Sequence, residues 1–152
     1  MAKLRTKRAV SAGGVVFRQS DGRLQVLICG RGEPRVWALP KGTPLPNEDL
    51  ARTAQREVKE ETGIEARILG EAGTIQYWFV EQPERVRVFK QVKYFLMEPV
   101  GGDIGQHDWE FDEVAWVDLE EALRRLTYPN ERELVRRAAE LYLKGQTDGS
   151  RP

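Results

Sequence analysis

The alternation of apolar and polar residues predicts a protein built mainly from β-strands. Runs rich in Val, Ile, Leu and aromatic residues are bounded by turn residues such as Asp21-Gly22 and Gln82-Pro83-Glu84. An Asp-Gly pair between two apolar runs is typical of a hairpin. The predicted strands cover residues 9–18, 24–29, 66–80, 86–97 and 114–117.

One helix is predicted between the second and third of these strands. Ala51, Ala54 and Val58 recur at helical spacing and predict a buried face. Asn47 is a suitable N-cap before this pattern. Gly63 follows Thr62 and predicts a left-handed C′ position that ends the helix.

Two further helices are predicted near the C-terminal end of the sequence. Asp118 with Glu121, and Asn130 with Glu133, have the spacing of capping boxes. Residues 146–152 are expected to form a flexible tail. The order of strands, helix, strands and helices predicts an α/β fold in which helices cover the faces of a mixed sheet.

Length and charge favour a small, single-domain protein with a small-molecule ligand. We expect one domain over residues 1–152. Lys plus Arg and Asp plus Glu are equal at 24 each, which predicts neither a nucleic-acid nor a membrane partner. Cys29 has no internal disulfide partner, which favours a reducing compartment. The sequence also lacks an apolar run of roughly twenty residues, so we expect a soluble, cytoplasmic protein.

The predicted helix carries three acidic residues on one face. With Glu57 set at zero on a helical wheel, Glu60 and Glu61 fall roughly 60° and 40° to either side of it. Like charges at this spacing repel one another. A bound Mg²⁺ would reverse the sign of that interaction, since this ion prefers oxygen ligands and bridges carboxylates to phosphates.

A solvated helix surface is the alternative interpretation of the same residues. Arg56 would then pair with Glu60, and Arg52 with Glu48. The adjoining glycine loop at Gly42 and the apolar arc of the helix favour the metal site over this alternative.

Residues 42–64 resemble the signature of one known family. Gly42, Glu48 and the run Arg56-Glu57-Val58-Lys59-Glu60-Glu61-Thr62-Gly63-Ile64 match every fixed position of the Nudix box. The chain is identified by this resemblance as a member of the Nudix hydrolase family. The resemblance implies an α/β/α sandwich with a central mixed β-sheet. It also implies hydrolysis of a nucleoside diphosphate linked to another moiety, with Mg²⁺ or Mn²⁺ as the cofactor.

The resemblance also implies roles for individual residues. The predicted metal ligands are Gly42, Glu57, Glu60 and Glu61. The predicted catalytic residues are Glu57, Glu60 and Glu110, and one glutamate would orient or deprotonate the attacking water. Glu48 and Arg56 would form a supporting salt bridge.

Glu110 is included because its loop resembles a family segment that carries an extra metal ligand or general base. Its position six residues before Trp116 matches that segment. Glu113 is a weaker candidate for the same role. The alternative is that both are ordinary surface acids.

Four residues outside the box bear on the substrate. The segment Trp37–Gly42 resembles the WxLPKG sequence of family members that act on long polyphosphates, which places Lys41 near the phosphates. Tyr77 or Trp78 could stack a base, and they face opposite sides of a strand. Lys93 is the predicted phosphate contact on the next strand, although basic residues there could instead keep a sheet edge soluble.

The leading hypothesis is hydrolysis of a dinucleoside polyphosphate. One alternative is a nucleoside triphosphate pyrophosphohydrolase that removes oxidised nucleotides. An alternative of another class is a nonhydrolytic module that binds nucleotides or RNA, although such modules typically have a damaged box. Family members are often dimers, so the resemblance also implies that this protein could form a homodimer.

Overall fold

The computed structural model describes residues 4–148, which form a mixed β-sheet with α-helices on both faces. The strands are β1 Thr6–Ser20, β2 Arg23–Arg31, β3 Val36–Ala38, β4 Lys41–Gly42, β5 Ile64–Glu81, β6 Val86–Gly102 and β7 Glu113–Asp118. The helices are α1 Leu50–Thr62, α2 Leu119–Arg125 and α3 Pro129–Asp148, with a short 3₁₀ turn at Ile104–Gln106. The predicted strands are all present and are longer than expected.

The central strand β1 connects the two halves of the sheet. The strand order is β3-β2-β1-β6-β5, with β4 also paired to β1 and β7 to β2. β1 runs parallel to β6 from Thr6 to Val16, and its last residues pair antiparallel with β2. The sheet is therefore mixed, as predicted.

Alternate residues of β1 face two separate cores. Val15 and Phe17 belong to a cluster with residues of α2 and α3, whereas Val16 packs in a cluster with Ala54 and Val58 of α1. All five of these side chains are fully buried. This arrangement confirms the α/β/α sandwich.

The start of α1 differs from the prediction. Asp49 is the N-cap, and its Oδ1 accepts a hydrogen bond from the backbone N–H of Arg52 at 2.8 Å. Asn47 instead has a φ of 65° and lies in the preceding turn, so the prediction that it caps the helix is wrong. Asn tolerates this left-handed conformation better than most residues. The predicted helix end is confirmed, because Gly63 has a φ of 80° and its N–H bonds to the carbonyl of Lys59.

Both predicted capping boxes are also wrong. The carboxylate of Asp118 makes no capping bond and accepts from Arg23 and Gln25 of the neighbouring strand instead. α3 begins at Pro129, a residue suited to the first helical turn because the missing N–H is not needed there. Asn130 therefore lies inside the helix.

α3 also extends further than expected. It continues to Asp148, so residues 146–148 of the predicted tail are helical, and residues 149–152 lie outside the described range. Among the helices in residues 4–148, none has both the length and the apolar character needed to cross a membrane.

Candidate active site

A cavity of about 760 Å³ opens where α1, the β5–β6 hairpin and the start of α3 converge. Its volume lies in the range of pockets that bind small molecules. Acidic residues of α1, of the loop before β7 and of α3 line it, together with aromatic and basic residues. The polar and aromatic lining residues are Ser11, Arg31, Lys41, Thr43, Glu57, Glu61, Tyr77, Lys90, Tyr94, Glu110, Phe111, Tyr128, Asn130 and Glu131.

Arg56 is the centre of an ion-pair network at the edge of the cavity. Its Nε and Nη2 donate to the two carboxylate oxygens of Glu48 at 2.8 and 2.9 Å. Its Nη1 donates to Glu57 at 2.7 Å and approaches Glu60 at 3.3 Å. The hydrogen bonds from Arg56 are the largest cause that lowers the pKa of Glu48, which falls to about 2. The predicted Glu48–Arg56 salt bridge is thus present, and it ties the loop before α1 to the helix.

Glu57 occupies the space that a side chain at position 42 would take. A Cβ on Gly42 would lie 2.1 Å from the Glu57 carboxylate, far closer than van der Waals contact allows. Burial raises the pKa of Glu57, and Arg56 opposes that shift. The glycine therefore allows an acidic group and the backbone of the β4 segment to meet inside the cavity.

Glu61 is the most deeply buried of the three helix acids, with 4% of its surface exposed. Its Oε1 accepts from the backbone N–H of Lys41 at 3.0 Å. Burial, followed by a hydrogen bond with the Glu110 carboxyl group, raises the pKa of Glu61 to about 10. Two carboxyl groups share a hydrogen bond only when one of them is protonated, so without a cation this pair retains a proton to a higher pH than a free glutamate would.

The acidic donor atoms in the cavity fit a hard divalent cation. The side chains of Glu57, Glu61 and Glu110 provide oxygen ligands, which Mg²⁺ and Mn²⁺ prefer. A cation would also replace the proton held between Glu61 and Glu110. Within residues 4–148, however, no three acidic, His or Cys side chains are already grouped as a metal site. Arg56 already pairs with both Glu57 and Glu60.

Glu60 lies apart from the other two helix acids. Its side chain is 50% exposed, pairs with Arg56 and does not line the cavity. The three carboxylates therefore share a helix surface but differ in burial. The roles proposed for Glu60 as a ligand and as a catalytic residue stay predictions.

Two of the four predicted substrate contacts line the cavity. Lys41 and Tyr77 face it. Trp78 is on the opposite side of β5, where it packs 5.0 Å from the ring of Phe89 and 4.8 Å from Arg87. Side chains alternate along a strand, so Tyr77 and Trp78 cannot both face the cavity.

Lys93 is also misplaced by the prediction. It forms an ion pair with Glu71 and lies over the ring of Phe95, away from the cavity. Lys90 is the lysine of β6 that lines the cavity, directly opposite Tyr77 in the strand register. Burial, and then the charge of Lys41, lowers the pKa of Lys90. Lys90 and Lys93 are three residues apart, so their side chains point to opposite faces of the sheet. The sequence did not reveal which of these faces borders the cavity.

The start of α3 supplies residues that the sequence analysis missed. Tyr128, Asn130 and Glu131 all line the cavity. Glu131 is 7% exposed, and its Oε1 accepts from the backbone N–H of Leu39 at 2.8 Å. Burial raises the pKa of Glu131 to about 7. The predicted capping box gave Asn130 a purely local role, and the sequence analysis made no prediction for Tyr128 or Glu131.

Comparison with known proteins identifies a single matching domain. A family model described as NUDIX domain matches residues 7–138, which include the whole of the cavity lining. The Mycobacterium tuberculosis protein named "Putative mutator protein MutT4" is 42% identical over 153 residues, covering 97% of this chain and 61% of the relative. A Mycolicibacterium smegmatis protein named 8-oxo-(d)GTP phosphatase is 29% identical, covering 84% of this chain and 40% of the relative. The chain thus spans about three fifths or less of the length of these relatives.

A solved structure named as an Ap4A hydrolase has a similar fold. The Ap4A hydrolase of C. elegans, solved as a binary complex, has a TM-score of 0.69 and is 27% identical. The match covers 90% of this chain and 98% of that structure. The fold therefore has a counterpart among solved structures.

Proposed function

This chain belongs to the Nudix family, and on that basis we propose that it hydrolyses a pyrophosphate bond with the help of divalent metal ions. We further propose that the substrate is a dinucleoside polyphosphate such as diadenosine tetraphosphate. The name of the C. elegans structure supports this substrate class.

The observation that carries the proposal is that one cavity is lined by acidic, basic and aromatic side chains together. Glu57, Glu61 and Glu110 interact with one another there, where a cation can bind. Lys41 and Lys90 line the same cavity and suit the remaining phosphates of a long chain. Tyr77 and Tyr128 add aromatic rings on which a base can stack.

The reaction needs charge neutralisation and an activated water. Gly42, Glu57 and Glu61 would hold the cation, which would neutralise the phosphates and polarise the attacked phosphorus. Lys41 and Lys90 would orient the phosphate chain. Glu110, which faces the cavity beside Glu61, would accept the proton of the attacking water.

A second candidate is hydrolysis of oxidised nucleoside triphosphates. The names of the two mycobacterial relatives favour it. Such a substrate has one base and a shorter phosphate chain, but it carries a similar negative charge. Lys41 and Lys90 suit the phosphates of either substrate, so the name of the C. elegans structure is what favours the dinucleotide.

A product assay with Mg²⁺ distinguishes these functions. The panel contains diadenosine tetraphosphate, diadenosine hexaphosphate, 8-oxo-dGTP and ADP-ribose, and products are separated by anion-exchange chromatography. We expect ATP and AMP from diadenosine tetraphosphate, and no product with the Glu57→Gln variant. Turnover of 8-oxo-dGTP alone would reject the dinucleotide and support the second candidate. A panel without any turnover, combined with tight nucleotide binding, would favour a binding module.

A further inference from the structure

Glu131 is a buried acid that the proposed hydrolysis does not use. It lies in the first turn of α3, at the cavity wall, with only 7% of its surface exposed. One of its carboxylate oxygens, Oε1, is held by the backbone N–H of Leu39. This bond fixes the orientation of the carboxyl group, so the position of the second oxygen is fixed as well.

The second oxygen of Glu131 faces the cavity. Among the described residues, its side chain makes a hydrogen bond only with Leu39, through Oε1. No fully buried side-chain oxygen in residues 4–148 lacks a hydrogen-bond partner. Oε2 is therefore not fully buried, and since Glu131 lines the cavity, we place Oε2 on the cavity side of the carboxyl group.

Aromatic side chains surround this free acceptor. Burial, and then the charge of Glu131, raises the pKa of Tyr77, and the same two causes act on Tyr94. Tyr128 and Asn130 line the same region. The acceptor thus lies beside tyrosine rings on which a base can stack, and within reach of the charge of Lys41.

We propose that Glu131 determines base specificity by accepting a hydrogen bond from the exocyclic amino group of the bound base. Adenine carries such a donor at C6, whereas hypoxanthine carries a carbonyl oxygen at the same position. A carboxylate oxygen facing that carbonyl would leave two acceptors opposed and without a proton between them. The inference rests on the proposed function in that a nucleotide occupies this cavity.

Because the Leu39 N–H holds one oxygen of Glu131, replacing the other oxygen by an NH₂ group tests this inference. In a Glu131→Gln variant, the amide oxygen must face the Leu39 N–H, since two donors cannot bond each other. The amide NH₂ group must then face the cavity, where it replaces an acceptor with a donor. The base preference should consequently reverse. If Glu131 had a purely structural role, the Glu131→Gln substitution would weaken the binding of both bases equally.

The experiment compares binding of AMP and IMP by isothermal titration calorimetry at pH 8 with Mg²⁺. We expect the wild-type protein to bind AMP about tenfold more tightly than IMP, as one mismatched polar contact commonly costs. Glu131→Gln should bind IMP more tightly than AMP. Glu133→Gln is the matched control, because Glu133 lies in the same helix but on its exposed side, paired with Arg136. The control should keep the wild-type preference.

Each outcome is decisive for either the inference or the proposed function. Equal binding of AMP and IMP by the wild type overturns the role of Glu131, even if the Gln variant fails to fold. So does a folded Glu131→Gln variant that retains the preference for AMP. Failure to hydrolyse diadenosine tetraphosphate, with the preference and its reversal intact, overturns the proposed substrate and leaves the role of Glu131 standing.

Discussion

Single acidic side chains in the cavity are positioned by close backbone contacts. Glu57 fills the space beside Gly42, and Glu61 bonds to the N–H of Lys41. These contacts involve the two residues of β4, a strand that is held to β1 by the pairing of Ala12 with Gly42. The positions of the carboxylates therefore depend on the backbone of one short segment.

Gly42→Ala should abolish most of the activity. The added methyl group must displace Glu57, and misplacing a catalytic group by about 1 Å commonly costs about a hundredfold in rate. We expect kcat/KM to fall by at least about that factor. Gly70→Ala is the control, because a Cβ at Gly70 meets no atom within 4 Å. Wild-type kcat/KM in Gly42→Ala would show that Glu57 is not needed at this position.

Among the helices and strands, α1 connects the core to the site. Ala54 and Val58 anchor one side of the helix in the core. The same helix carries Glu57 and Glu61 into the cavity. Its ends are defined by Asp49 and Gly63. A defect at either end should affect stability first and the chemistry only indirectly.

Asp49→Ala should destabilise the protein by about 1 kcal/mol, the usual cost of losing an N-cap side chain. Its carboxylate accepts the otherwise unpaired N–H of Arg52. Urea unfolding monitored by circular dichroism would measure the change. Asp49→Asn should retain most of the stability, since Asn is an equally good N-cap. An Asp49→Ala variant as stable as the wild type would contradict this assignment of the cap.

Sequence analysis predicted the parts of the site that are close together in the chain. The box residues share one loop and one helix, so helical spacing placed Glu57 and Glu61 on one surface. The alternative interpretation correctly paired Arg56 with Glu60, but the sequence did not reveal that Glu60 lies outside the cavity lining. Lys90 and Glu131 were missed because they reach the cavity through the packing of distant segments.

Across the protein as a whole, the buried acids link stability to pH. The pKa of Glu61 rises from a usual value of 4.5 to about 10, chiefly because of burial. Above pH 4.5 the unfolded chain releases a proton that the folded protein retains. The folded state then binds more protons, so the free energy of unfolding falls as pH increases. The stability gained from neutral Glu61 is complete below pH 4.5 and is lost as pH approaches 10.

The metal-free protein should therefore become less stable between pH 5 and pH 9, by up to about 1.4 kcal/mol per pH unit from this group. Glu61→Gln should remove the part of that dependence that is due to Glu61, leave the part due to Glu57 and Glu131, and exceed the wild type in stability at pH 8. Urea titrations with EDTA at each pH would measure both. Glu120→Gln, a change at an exposed position of α2, should preserve the wild-type slope. Parallel slopes for the wild type and Glu61→Gln would refute the assignment.

The Arg56 network has a consequence for how the protein is made. One guanidinium group offsets the repulsion of the acidic helix surface from within the chain itself. A newly synthesised molecule can consequently reach its native structure before it encounters any inorganic ion. Ion supply would then regulate turnover and leave the abundance of folded protein unchanged.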